Sequence, residues 1–517
     1  MIWLMTVKKY NKTYLIGGII LFAAVAAVLA QSEMSSVSED NKETKVSTHS
    51  VTGTPADNYP DKERPTHCGT QDSTSSLYVR EFEIPTLCTQ PVGIVVDPEG
   101  LVWFTETNTG NVGMFDPKTE EIVEYENELW SQGGSMMWGI AYTDDNEIWF
   151  TDEKYDRLWK FSIDNKQYSA YTFTGNHTMK FPQLIMENDG TFLINDFTGN
   201  KISILDHDEL DSGLALPAQV KTPVGFFTGP PAIGKNGEMW FIAWKYQGKI
   251  SLIKYDSVAE KATMFDLTGV VSAPNGLSID DAESLWISDT ASSNIIKFDP
   301  DSAQIIKYVT SFPRESTFGN SSGLIKTPIT RPYWNFIYDG KLIFNEQQAN
   351  MIGILDTKTE KLTEYLIPSK NPNWADCAGK TDCGISQVFG FAKADDQIWF
   401  TAWVENNIGV IDTSIPLPLQ IEFNSKELSI KQGATSSVML TIIPSEKLVV
   451  PLDIQSTTSE SDKIHVLIHN GQQENDFTNI PIEISVSEVM EPGIYKVLIS
   501  VIQPDVTVSE FITVQVV

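Results

Sequence analysis

Self-similarity dominates the chain between Pro91 and Ser414. Units open at Pro91, Trp138, Phe181, Pro230, Pro274, Arg331 and Phe389, and each holds short apolar runs separated by polar or Gly-containing turns. A unit of this size cannot bury its own apolar face, so neighbours must stack and share a core. Two-residue alternation within the runs, with frequent turns, selects strands and excludes a helical solenoid. Four runs per unit are the pattern of a four-stranded antiparallel blade. The second run carries a recurring large residue: Trp103, Trp149, Leu193, Trp240, Trp286, Ile343 and Trp399. Its spacing is 44–47 residues through the first five units and 56–57 thereafter, which marks insertions at 311–330 and 368–387.

These units predict an all-β fold, a seven-bladed β-propeller over residues 77–414. The last unit has three runs and ends at Asp412, whereas residues 77–84 (LYVREFEI) are an orphan run that resembles a fourth strand. If this N-terminal strand completes the last blade, the ring closes with no free sheet edge. Near residue 415 the chain changes character. Of the 13 tryptophans, one is Trp3, the others fall between Trp103 and Trp403, and none follows. Runs such as SSVMLTII and GIYKVLISVI predict about seven strands of a small Ig-like β-sandwich over 415–517, a spacer or docking module.

The N-terminal region is of another kind. Lys8, Lys9 and Lys12 precede an uninterrupted apolar stretch at 14–30, which predicts one hydrophobic helix over residues 1–30. It is either a signal peptide or a membrane anchor, and in both cases it places the rest of the chain outside the cell. Residues 31–76, rich in Ser, Thr and acidic residues without apolar periodicity, read as a flexible stalk. Export makes the four cysteines disulfide candidates, and Cys68–Cys88 with Cys377–Cys383 is the favoured of three pairings. The formal net charge of −31, from 37 Lys+Arg and 68 Asp+Glu, argues against nucleic acid as a partner. Phosphate binding needs clustered cations.

The recurring P-x-G-[IL] … [LI]-W-[FI]-T-[DE] … N-x-[IV]-x-x-[FL]-D-P-x-T … E-Y pattern resembles the streptogramin B (virginiamycin B) lyases and the wider NHL-type propellers. The resemblance covers 77–414 and implies a propeller whose top face holds a ligand. In the lyases it implies a Mg²⁺-dependent site that opens a cyclic ester by elimination, using His and Glu. The lyase histidine immediately precedes the Gly that opens an innermost strand. Here those positions are Val92, Trp138, Asn275 and Phe389. The histidines lie elsewhere, at His49, His67, His177, His207, His465 and His469, so the obvious base for a neutral-pH elimination is missing.

Turns after the second runs are expected to bring Glu106, Asp152, Asp196, Asp289 and Glu346 to one rim. Hard oxygen ligands suit Mg²⁺ or Ca²⁺, and Glu106, Asn275, Asp289 and Glu346 are the candidate set. The alternative is that these carboxylates repeat because they cap turns. Two units replace the acid, as Ala243-Trp244 and Ala402-Trp403. Trp138, Trp244, Asn275, Trp334 and Trp403 are the candidate ligand-binding residues, an aromatic wall for a ring-shaped or carbohydrate ligand. Tryptophans within second strands are expected to pack between blades instead. The expected function is an extracellular propeller, secreted or membrane-anchored, that binds a small molecule, glycan or protein on its top face. The alternatives are a divalent-metal-dependent lyase or lactonase acting on a cyclic ester, and a cell-surface structural module.

Overall fold

The computed structural model describes residues 68–69, 73–130, 135–210, 217–245, 248–314, 329–374, 383–445, 452–474 and 477–517. The N-terminal apolar stretch, most of the stalk and Cys377 lie outside them. Among the described residues the chain is built from strands, antiparallel except where Glu427–Ile430 runs parallel to Val506–Val516, with short helical turns at His207–Leu210, Gly175–His177 and Pro372–Trp374. No helix among them is long and apolar enough to cross a membrane.

Pro91–Val96, Val102–Glu106, Asn111–Asp116 and Glu121–Tyr125 form the first four-stranded sheet, in simple meander order. Equivalent meanders follow along the chain; in the fourth, the innermost strand is split into Phe227–Thr228 and Ala232–Ile233. The last meander supplies Val388–Ala394, Gln397–Ala402 and Asn407–Asp412. Its fourth strand is Val79–Glu83, antiparallel to Asn407–Asp412 with Val79 opposite Ile411 and Glu83 opposite Asn407. Beside this clasp Cys68 is bonded to Cys88. Cys383 is also disulfide-bonded.

The second strand of each unit is buried on both faces, which explains why it reads as a near-continuous apolar run. Trp103, Trp149, Trp240, Trp286 and Trp399 are buried there. Their polar edges are satisfied locally, as where Trp103 Nε1 donates to Asp97 Oδ2 at 2.8 Å and Trp286 Nε1 to Asp280 Oδ2 at 2.9 Å.

In five units the residue two places after this second-strand position joins one unit to the next. Thr105 Oγ1 accepts from the Gly93 N–H (2.9 Å) and donates to the Met137 carbonyl of the second unit (2.9 Å). Thr151 does the same between Gly139 and Gln183, and Thr401 between Gly390 and Val92. Asn195 and Asn345 reach Thr228 and Val388 in the same way. One side chain acts as both acceptor and donor, so two buried backbone groups are satisfied across each junction. The Thr401–Val92 bond ties the last unit to the first.

Residues 419–517 form two facing layers over a core that includes Ile442, Ile482, Ile484, Val497, Ile499 and Ile512. One sheet holds Leu419–Phe423, Thr435–Pro444, Phe477–Val486, Ile464–Ile468 and Gln472–Glu474; the other holds Glu427–Ile430, Asp453–Thr458, Gly493–Ile502 and Val506–Val516. There are thus nine strands among the described residues, not about seven. Nor is this region merely tethered. Val506–Val516 also pairs with Lys361–Leu366, the fourth strand of the sixth unit, Lys361 opposite Glu510 and Tyr365 opposite Val506. An outer blade strand presents unpaired N–H and C=O groups, and pairing with the C-terminal sheet satisfies them. Arg314 donates to the Pro504 and Gln503 carbonyls (2.6 and 2.7 Å), and Lys496 pairs with Glu360 at 2.5 Å.

Candidate functional site at the mouth of the propeller

Strand register defines equivalent positions at the start of each innermost strand. Pro91 lies opposite Glu106, Pro182 opposite Asp196, Pro274 opposite Asp289, Pro332 opposite Glu346 and Val388 opposite Ala402, and each pairing is followed by a register shift. Such a bulge re-aims the side chain that follows it. The residues in that place are Val92, Gln183, Asn275, Tyr333 and Phe389, with Trp138 before Gly139 in the second unit.

Several of these rings meet. Trp138 lies 5.5 Å from Phe389 and 6.0 Å from Trp334, edge to face in both cases. Tyr333 lies 5.9 Å from Phe389, and Trp403 lies 5.5 Å from it on another side. Side chains from the second, sixth and seventh units therefore form one aromatic cluster. Edge-to-face pairs of this kind add about 0.5–1.5 kcal/mol each beyond their buried area. Trp244 belongs to the same apolar core but is fully buried, packed on Phe227 (4.9 Å) and Phe197 (6.2 Å). At 0% exposure it offers no surface, while Trp138, Phe389 and Trp334, buried in the same core, keep 7%, 5% and 8%. Asn275 donates to Thr290 Oγ1 at 2.8 Å.

Polar groups are interleaved with the rings. Trp138 Nε1 donates to Glu153 Oε2 at 2.6 Å. Burial pushes the Glu153 carboxyl up to about 8 despite that bond, so at neutral pH it is mainly protonated. Burial likewise pushes the Tyr333 hydroxyl up to about 12, with the neighbouring Arg331 guanidinium pulling the other way. Tyr333, Gln183, Arg331 and Glu153 were not singled out from the sequence. Alignment of Pro332 with Pro274 was the available signal, because it places Tyr333 where Asn275 stands.

The acidic rim behaves differently from the metal expectation. Asp196 accepts from the Lys180, Phe181 and Gly199 N–H groups at 2.9, 2.8 and 3.0 Å. Asp289 accepts from the Ala273 N–H (2.8 Å) and Ser292 Oγ (3.0 Å), and Asp152 from Ser135 Oγ (2.5 Å) and Trp159 Nε1 (3.1 Å). Glu106 accepts from Thr109 Oγ1 at 2.6 Å. Burial pushes its carboxyl up to about 8, and Glu124 beside it adds to this. Glu346 is buried next to Glu364, and both are shifted upward, chiefly by burial. Among the described residues no group of three or more His, Cys, Asp and Glu could hold a metal ion. Glu106, Asp289 and Glu346 do not form such a group. Each carboxyl turns back into its own unit, where it caps a turn or sits in a buried acid pair.

Comparison with solved structures bears on the architecture. Two structures of virginiamycin B lyase from Staphylococcus aureus match: the selenomethionine-substituted enzyme, and a catalytically inactive variant with quinupristin. Their TM-scores are 0.50 and 0.51, and both are 20% identical to this chain, covering 65% of it and 98% of the lyase chain. The chain has a streptogramin lyase-like β-propeller fold. No family model matches the sequence. No curated protein sequence matches it either.

Where the resemblance expects histidines, this propeller carries Val92, Trp138, Asn275 and Phe389. His177 instead ends the helical turn Gly175–His177 between the second and third units, with Nδ1 3.1 Å from the Pro217 carbonyl, and His207 follows the third unit's third strand.

Proposed function

We propose that this protein is an exported, seven-bladed propeller that binds a small aromatic-bearing ligand at its mouth. The observation that carries the reading is the aromatic cluster of Trp138, Tyr333, Trp334, Phe389 and Trp403, drawn from three units and built partly at the lyase histidine positions. Concave aromatic surfaces with a few fixed polar groups are the usual make-up of small-molecule sites. Export is supported by the N-terminal apolar stretch and by the bonded Cys68 and Cys88. The C-terminal layers, which we read as an Ig-like sandwich, brace the ring through the shared sheet.

Binding is preferred to catalysis because none of the equivalent positions offers a base suited to abstracting a proton near neutral pH. The quinupristin-bound lyase makes a streptogramin B ester the natural first probe. Titration of the chain with such an ester and with small aromatic fragments is expected to show binding that Phe389→Ala weakens roughly tenfold, the loss of one ring contact plus its burial. Chromatographic detection of the opened ester would contradict a binding-only role. Equal affinity of wild type and Phe389→Ala for every ligand that binds would move the site away from the mouth.

A further inference from the structure

One residue in the mouth does not fit a purely aromatic site. The Arg331 carbonyl accepts from the Gln347 N–H, and the same bond is made by Gln90 to Thr107, Met136 to Glu153, Phe181 to Phe197, Ala273 to Thr290 and Gln387 to Trp403. These six residues are therefore equivalent, one at the lip of each of six units. Arg331 is the only cation among them.

Its side chain is only half-buried, yet among the described residues it makes no ion pair and no hydrogen bond. The one titratable group near enough to influence it is the Tyr333 hydroxyl, and desolvation pulls the guanidinium downward. A partly desolvated guanidinium costs free energy unless something pairs with it. The same unit holds two further unmet donors. Gln347 Nε2 and Trp334 Nε1 are buried and have no hydrogen-bond partner among the described residues. Gln347 is tied to Arg331 through the backbone, and Trp334 is adjacent to Tyr333.

Resting on the mouth-binding reading above, we infer that Arg331, with Gln347 and Trp334 of the same unit, forms an anion subsite that takes the carboxylate of an aromatic acid. The planar guanidinium fork matches a carboxylate in a bidentate pair. The aromatic cluster receives the attached ring. A monoanion is favoured over a phosphate dianion, because a single cation in an acidic protein compensates one charge and not two.

The test is calorimetric titration of the full chain with phenylacetate, its neutral isostere phenylacetamide, and phenyl phosphate. Phenylacetate is expected to bind at least about tenfold more tightly than the amide, the usual gain from a charge-assisted pair. Arg331→Gln should erase that preference by weakening the acid much more than the amide, and Arg331→Lys should restore part of it. The Gln variant keeps the fold, since Gln90 (φ 53°) and Gln387 (φ 55°) adopt the same left-handed backbone as Arg331 (φ 57°) at the equivalent place. Equal affinities for acid and amide, or an equal loss of both in Arg331→Gln, would overturn the anion subsite and leave the aromatic site standing. Tighter binding of phenyl phosphate would overturn the carboxylate assignment. Failure of all three probes to bind wild type would overturn the subsite and the mouth-binding reading together.

Discussion

Glu81, Glu106 and Glu153 each occupy buried positions that push their carboxyls from 4.5 up to about 8, with burial the largest cause in all three. A raised folded-state value means that the native chain holds protons the unfolded chain has released. The stability they permit is complete below about pH 4.5 and is lost as pH rises through about 8. Thermal midpoints should therefore fall between pH 6 and pH 9, and Glu106→Gln should flatten the fall, because the amide oxygen still accepts from Thr109 and carries no charge. A fall as steep in Glu106→Gln as in wild type would show that this carboxyl is not the source. At this scale the sequence was partly legible. The W-F-T-[DE] signature exposed the packing tryptophans and the acidic position, but spacing cannot tell whether an acid faces a common rim or its own turn. That depends on which N–H groups the turn leaves unpaired, as Asp196 and Asp289 show. Arg331 was invisible for a related reason: its meaning lies in the absence of a partner, which only three-dimensional neighbours reveal.

Elements were the most legible level, because period-two alternation and turn residues recur in every unit. Two sequence details acquire reasons only in the fold. Thr105, Thr151 and Thr401 are there to bond the next unit as well as their own strand, so Thr105→Val should destabilise by about 1 kcal/mol, measured by urea unfolding. Gly113, Gly353 and Gly409 lie in third strands directly beneath Phe104, Phe344 and Phe400; a Cβ at Gly113 would stand 2.1 Å from the Phe104 ring. Gly113→Ala is therefore expected to cost about 1–3 kcal/mol through overpacking, while Gly100→Ala, where a Cβ meets nothing, should lose less, and only through its left-handed φ of 85°. Equal losses at the two sites would argue against the close ring contact. The pairing of Val79–Glu83 with Asn407–Asp412 follows from the missing fourth run of the last unit. The pairing of Lys361–Leu366 with Val506–Val516 does not, since nothing in an alternating strand names a partner on another domain.

At the scale of the whole molecule, the first strand and the last are both spent on the ring. The first completes the final unit, and the last covers the outer edge of the sixth. Lys496, buried against Glu360, and Arg314 hold that second junction. Removing one member of such a pair costs roughly 3–5 kcal/mol when burial is complete, and less here because Glu360 is partly exposed. Lys496→Ala should therefore speed amide exchange in Lys361–Leu366 and Val506–Val516 alike; faster exchange in the C-terminal strand alone would mean that the two domains do not share a cooperative sheet. Both junctions use outer strands, whereas the proposed site draws on inner-strand residues such as Tyr333, Trp334 and Phe389. The most direct measurement is ¹⁹F NMR of the 5-fluorotryptophan-labelled chain, with Trp138, Trp334, Trp103 and Trp286 assigned by single Phe substitutions, during titration with phenylacetate. Binding at the mouth is expected to move the Trp138 and Trp334 resonances while those of Trp103 and Trp286 stay fixed. Movement confined to the blade-packing tryptophans, or no movement at Trp138 and Trp334 at saturation, would contradict it.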